Sequence, residues 1–206
     1  MKRKIRPVLL LIVAMFASVT AVKSQDIDMK SKTEAVWNAL QAHCGQAFAG
    51  VVTSVPEGDT QLTGVEEIVV HFDSCTENVI RVPFHLKKDD GIWNRSRTWI
   101  FIRNEHGIEL RHDHRTEDGA EDATTWYGGF AHKDATTNQV EFVPEQRVMA
   151  DGPNGGWRVI MEPGVRYVYG TIRAGEFRHR LDFDLSKPIE TPELPWGYGT
   201  LPKGLR

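Results

Sequence analysis

Phe177-Arg178-His179-Arg180-Leu181-Asp182-Phe183-Asp184-Leu185 is the clearest alternation in the chain. In extended backbone successive side chains point to opposite faces, so Phe177, His179, Leu181, Phe183 and Leu185 share one face. Arg178, Arg180, Asp182 and Asp184 share the other. Such a segment is a half-buried β-strand.

Upstream the same period of two returns repeatedly. Residues 157–162 and 165–173 read as strands around the turn Pro163-Gly164, and 140–143 as a short one. Residues 123–132 form another, where Gly128-Gly129 predicts a bulge or sharp bend. Residues 97–103 are apolar on both faces, the mark of a central strand, and turn tightly into the strand 108–115. Residues 78–86 place Ile80, Val82, Phe84 and Leu86 on one side. Residues 67–75 place Val70 and Phe72 on one side, with Val69, His71 and Asp73 on the other. Residues 33–42 predict one short helix, capped by Thr33, with Ala35, Val36 and Leu40 near one face. Eight to ten short strands, little helix and no internal repeat give an all-β fold. An antiparallel β-barrel is favoured because closure leaves no long edge exposed.

The two ends differ from this body. Lys2, Arg3, Lys4 and Arg6 precede an apolar run from Pro7 to Ala21, and Val22-Lys23-Ser24 supplies small residues for cleavage. Residues 1–24 are therefore expected to be a signal peptide, and 25–206 a single barrel domain. The apolar run falls short of the roughly 20 residues a membrane span needs. From about residue 187 the chain becomes a Pro-rich tail through Pro192, Pro195 and Trp196, and Trp196 suggests that its first half docks.

The full chain has 25 Lys/Arg and 28 Asp/Glu; without residues 1–24 it keeps 20 basic against 28 acidic residues, a net of −8. So acidic a chain lacks the basic footprint of a nucleic-acid binder and is poorly suited to an anionic membrane surface. Cys44 and Cys75 are its two cysteines. An oxidising destination predicts a Cys44–Cys75 disulfide, worth about 3–4 kcal/mol on the chain-entropy model. A catalytic thiol is the rival reading, and neither cysteine carries a nucleophile motif.

The chemistry concentrates in Leu110-Arg111-His112-Asp113-His114-Arg115-Thr116-Glu117-Asp118-Gly119. Ile108 and Leu110 mark the inward face of this strand, so His112 and His114 look into the barrel. Arg111, Asp113 and Arg115 would form a surface charge ladder. The returning strand is expected to add Trp126, and His132 if the glycines keep parity, and the last strand adds His179. Histidines at i and i+2 can ligate one divalent metal, which makes His112 and His114 candidate ligands. Cupins use such a pair, but the acid spacing here departs from theirs and no histidine follows Pro163-Gly164. Otherwise these rings bond to one another, to Tyr127 or to acids, and line a polar cavity. Glu117, Asp118, Glu121 and Asp122 read as solvated turn acids. Hydrolase nucleophile motifs and phosphate loops are missing.

Arg95-Ser96-Arg97-Thr98-Trp99, the HDHRxEDG stretch around Gly119, Tyr127-Gly128-Gly129 and Pro195-Trp196-Gly197 together resemble a group of uncharacterised bacterial exported proteins. The resemblance implies shared ancestry and no activity. Trp37, Leu40, Phe48 and Gly50 give a looser resemblance to lipocalin-like barrels, which concerns the fold alone.

The first functional expectation is an exported barrel, periplasmic or extracellular, that is not evidently an enzyme. It would bind a small molecule in an interior lined by His112, His114, Trp126, His132 and His179. The alternatives are a metal-binding protein or metal-dependent enzyme using His112 and His114, and an envelope interaction protein acting through its outer charges and tail.

Overall fold

The computed structural model describes residues 28, 30–87, 89–105, 107–132, 134–144, 148, 149, 152, 153, 155–200 and 202. The segment expected to direct export lies outside them. No helix among them is long and apolar enough to cross a membrane.

The strands are β1 (Ala47–Ser54), β2 (Ile68–His71), β3 (Ser74–Cys75), β4 (Val79–Lys87), β5 (Trp93–Asn104), β6 (Gly107–His114) and β7 (Tyr127–Ala131). They continue with β8 (Gln139–Val143), β9 (Val148–Met149), β10 (Gly152–Pro153), β11 (Gly155–Glu162), β12 (Arg166–Arg173), β13 (Glu176–Phe177) and β14 (Arg180–Ile189). Ten of them close an antiparallel barrel in the order β1-β2-β4-β5-β6-β7-β8-β11-β12-β14, with β14 returning to β1. The all-β barrel with one short helix is thus the observed fold. Its inward rows are the apolar rows of the sequence: Ile80, Val82, Phe84 and Leu86 on β4, Trp99 and Phe101 on β5, Leu181, Phe183 and Leu185 on β14. β5 is buried on both faces through Trp99 and Phe101 inside and Thr98 and Ile100 outside.

The helix over residues 30–41 (α1) lies across one end. Val36, Trp37 and Leu40 are fully buried, Glu34 pairs with Arg103 at 2.8 Å, and the Gly164 amide donates to His43 Nε2 at 3.2 Å. The Cys44–Cys75 disulfide, with Cα atoms 6.1 Å apart, ties the helix end to β3. Thr33 does not cap this helix. It lies inside it, buried, and its hydroxyl donates to Lys30 O.

Three other expectations change. Residues 67–75 are two strands, broken at Phe72-Asp73. Gly128-Gly129 introduce no bulge, since β6 and β7 keep one register throughout; they are needed because a Cβ at Gly128 would lie 1.8 Å from Leu110 O. The tail begins later, because β14 runs through Pro188 and Ile189, paired with Phe48 and Ala47 across an irregular register.

The tail then docks on the outside of the barrel. Trp196 N donates to Arg95 O at 3.1 Å, Arg95 reaches Leu194 O and Glu193, both at 2.8 Å, and Pro195 and Pro202 are buried. Gly197, at φ 69°, packs against Gly119 O and the Arg115 side chain, where any Cβ would clash. Asp113 and Arg115 are therefore not a surface ladder. They are 2% and 4% exposed, paired at 2.8 Å, with Arg81 and Glu121 close by. Glu121 is consequently part of a half-buried ion pair and not a solvated turn acid. His71 and His85 are buried on the same outer surface.

Candidate ligand cleft at the barrel mouth

The end opposite α1 is where polar side chains enter the interior. β6 carries His112 and His114 inward, as strand parity requires, beside Trp99 and Arg97 of β5. β7 places Tyr127 opposite His112. β12 brings Tyr169 and Thr171, and the β13–β14 connection brings His179.

His112 is 2% exposed. Nδ1 lies 3.1 Å from Tyr127 O and Nε2 lies 2.6 Å from Tyr169 Oη. A carbonyl only accepts, so Nδ1–H donates to it and the Tyr169 hydroxyl donates to Nε2. The ring is stacked on Tyr127 at 4.6 Å between centroids and tilted against Trp157 at 4.8 Å. Burial pushes His112 down to about 3. It is a neutral imidazole with both nitrogens engaged, a wall element and not a group offered to a ligand. His114, less buried, accepts from Tyr127 Oη at 3.0 Å; burial and then the nearby Arg97 charge push it to about 4.

His179 holds a second network. Its Nε2 lies 2.8 Å from Asp59 Oδ2 and its Nδ1 2.7 Å from Thr171 Oγ1. Nδ1 meets the Thr171 hydroxyl, and the carboxylate accepts a hydrogen bond from Nε2–H. The same bond, first among several, holds the Asp59 carboxyl down at about 2. Asp59 Oδ1 also accepts from the Gln61 and Leu62 amides, and Gln61 Oε1 accepts from Arg97 Nη2 at 3.3 Å. The loop between β1 and β2 is thereby fastened over part of the mouth.

Beside it opens a cleft of about 1100 Å³. Its walls include Trp126, Tyr127, Trp157, Thr171 and His179, with Arg111, Arg173 and Arg178 toward the rim. Trp126 has φ 59°, a conformation that is costly for a bulky side chain and that clusters at functional sites. Its amide donates to His112 O at 2.7 Å, which holds the strained turn.

Of the expected site residues, Trp126 and His179 line the cleft, and His114 stands behind Tyr127. His132 does not join them. Parity on β7 turns Tyr127 and Ala131 inward and Phe130 outward beneath Arg111, and His132 lies beyond the strand, 3.2 Å from Asp134. His112 and His114 share the interior face but bond different tyrosines, and among the described residues no three His, Cys, Asp or Glu side chains gather within reach of one metal ion.

Arg97, Thr171 and Asp59 were missed, and Tyr127, expected as a partner of the histidines, also walls the cleft. Arg97 shares parity with Trp99 and Phe101, so its inward direction could have been read. Asp59 arrives from a turn about 120 residues away from His179, and no local pattern signals that.

No family model, curated protein or solved structure matches the chain.

Proposed function

We propose that this is an exported β-barrel protein that binds a small organic molecule at its mouth. The observation that carries the proposal is the cleft itself. One end of the barrel is closed by α1, and the other opens between two tryptophans, a tyrosine and a fastened polar loop. Its volume lies just above the roughly 300–1,000 Å³ usual for ligand pockets, and it sets the aromatic faces of Trp126, Tyr127 and Trp157 beside polar groups that can orient a ligand, Thr171, His179 and three arginines. The strained Trp126 supports the same site. Export is supported by the basic-then-apolar pattern of residues 1–24 and by the Cys44–Cys75 disulfide, which belongs to an oxidising compartment.

The binding site is expected to take a neutral aromatic probe such as N-phenyl-1-naphthylamine. Saturable fluorescence enhancement at one site is the predicted outcome. Trp157→Ala removes a wall and should weaken that binding by up to about tenfold, in line with the roughly 0.5–1.5 kcal/mol an aromatic contact supplies beyond area. Binding that never saturates, or that is indifferent to Trp157, would count against the cleft.

A further inference from the structure

The charge of the ligand is legible in the arginines, and this inference rests on the mouth being the binding site. Eleven arginines lie among the described residues. Eight of them sit within ion-pair distance of a carboxylate, including the buried Arg115. The three that do not are Arg97, Arg173 and Arg178. All three lie at the mouth end of the barrel, Arg173 and Arg178 lining the cleft and Arg97 beside it, across from His114.

Arg173 and Arg178 are exposed and line the cleft. Arg97 is the telling one. It lies on the inward face of β5, opposite Phe84 on one neighbour and His114 on the other. Burial works against its charge, and the groups that bear on it electrostatically are the phenols of Tyr127 and Tyr169. Its hydrogen bond goes to the neutral amide of Gln61. A guanidinium stays protonated in proteins, and one withdrawn from water without a counter-charge is unfavourable. No Asp or Glu lines the cleft, and Asp59, the acid fastened at its edge, is engaged by His179. The full chain carries a net −3, so this uncompensated positive mouth runs against the charge of the molecule as a whole.

We infer that the ligand is an organic anion, with a planar body held between Trp126 and Trp157 and a carboxylate, sulfonate or phosphate group taken by Arg97 at the mouth. Arg173 and Arg178 draw it in. A guanidinium fork suits the planar arrangement of acidic oxygens, and the two tryptophan faces suit a flat conjugated body.

Two probes with the same rings separate charge from shape. N-phenyl-1-naphthylamine is neutral, and 8-anilinonaphthalene-1-sulfonate adds one sulfonate. With the full chain at low salt, the sulfonate is expected to bind at least about tenfold more tightly, as one charge-assisted bond allows, and to weaken as salt rises. Arg97→Gln should bring the ratio of the two probes' affinities close to one, and Arg97→Lys should keep part of the sulfonate's advantage. Should Arg97→Gln fail to fold, judged by near-UV circular dichroism, Arg173→Gln with Arg178→Gln tests the same point on exposed residues: sulfonate affinity and its salt dependence should both fall. Equal affinity for the two probes, or sulfonate binding indifferent to these substitutions, overturns the charge inference and leaves the cleft standing. Failure of both probes to bind overturns the cleft as well.

Discussion

His112 shows how a residue that reads in sequence as a metal or small-molecule ligand becomes a wall element in the fold. The features that made it conspicuous, an imidazole on an apolar face next to a second one, are resolved by two hydrogen bonds and two aromatic neighbours. Tyr169→Phe tests that assignment with the loss of a single oxygen. It strands His112 Nε2 in the core without a donor, which costs about 1–3 kcal/mol. Urea unfolding monitored by tryptophan fluorescence measures it, and a loss below about 0.5 kcal/mol would mean that water or another group satisfies the ring. The inward direction of His112 and His114 was legible from Ile108 and Leu110. Of their partners Tyr127 was legible and Tyr169 was not, because Tyr169 sits on a distant strand whose place only the closed barrel sets.

At the scale of elements, the C-terminal tail is the part that sequence placed least well. Asp113 and Arg115 alternate with inward residues, so parity sends them outward, and outward ordinarily means solvent. Here a second layer, the Pro195-Trp196-Gly197 segment, covers that face. Parity gives the direction of a side chain, while burial depends on what packs there afterwards. The tail is accordingly part of the fold and not a free docking arm. Asp113→Ala leaves Arg115 and Arg81 buried beside a lost partner and should cost about 3 kcal/mol, the low end for breaking a buried pair, since Glu121 remains near. Ending the chain at Pro192 should lower the melting temperature by about 5 °C or more, as a loss of about 2 kcal/mol does in a domain of this size. A truncated chain that melts with the full-length protein would show that the tail contributes nothing to the barrel.

Across the whole molecule, buried histidines set the response to acid. Among the described residues His85 finds no hydrogen-bond partner for either ring nitrogen, and burial, with His71 and Arg95 nearby, pushes it down to about 4. His112 and His114 are depressed in the same direction. Below pH 6.5 the unfolded chain binds protons that the folded chain refuses, so stability falls as the pH drops toward 4. At about 1.4 kcal/mol per unit, His85 alone removes about 3 kcal/mol across that window. Asp59 acts in the same sense but lower down: its contribution is complete above 3.8 and is surrendered only as the pH approaches 2. Urea midpoints taken from pH 7 to pH 4.5 should therefore decline steadily, and less steeply in His85→Gln. A flat profile would contradict the burial of these rings.

Among the described residues, concavities lie at opposite ends of the barrel, and which one takes a ligand decides the functional account. One is the aromatic cleft at the mouth. The other, of about 590 Å³, lies beside α1 between Lys30, Glu34, Arg103 and Gly107 and carries charges of both signs without an aromatic wall. The most direct test is an NMR titration of the ¹⁵N-labelled full chain with 8-anilinonaphthalene-1-sulfonate. The account predicts saturating shifts of the Trp126 and Trp157 indole N–H signals and of the Thr171 and His179 amides. Shifts confined to Glu34, Arg103 and Gly107, or none at all, would contradict it.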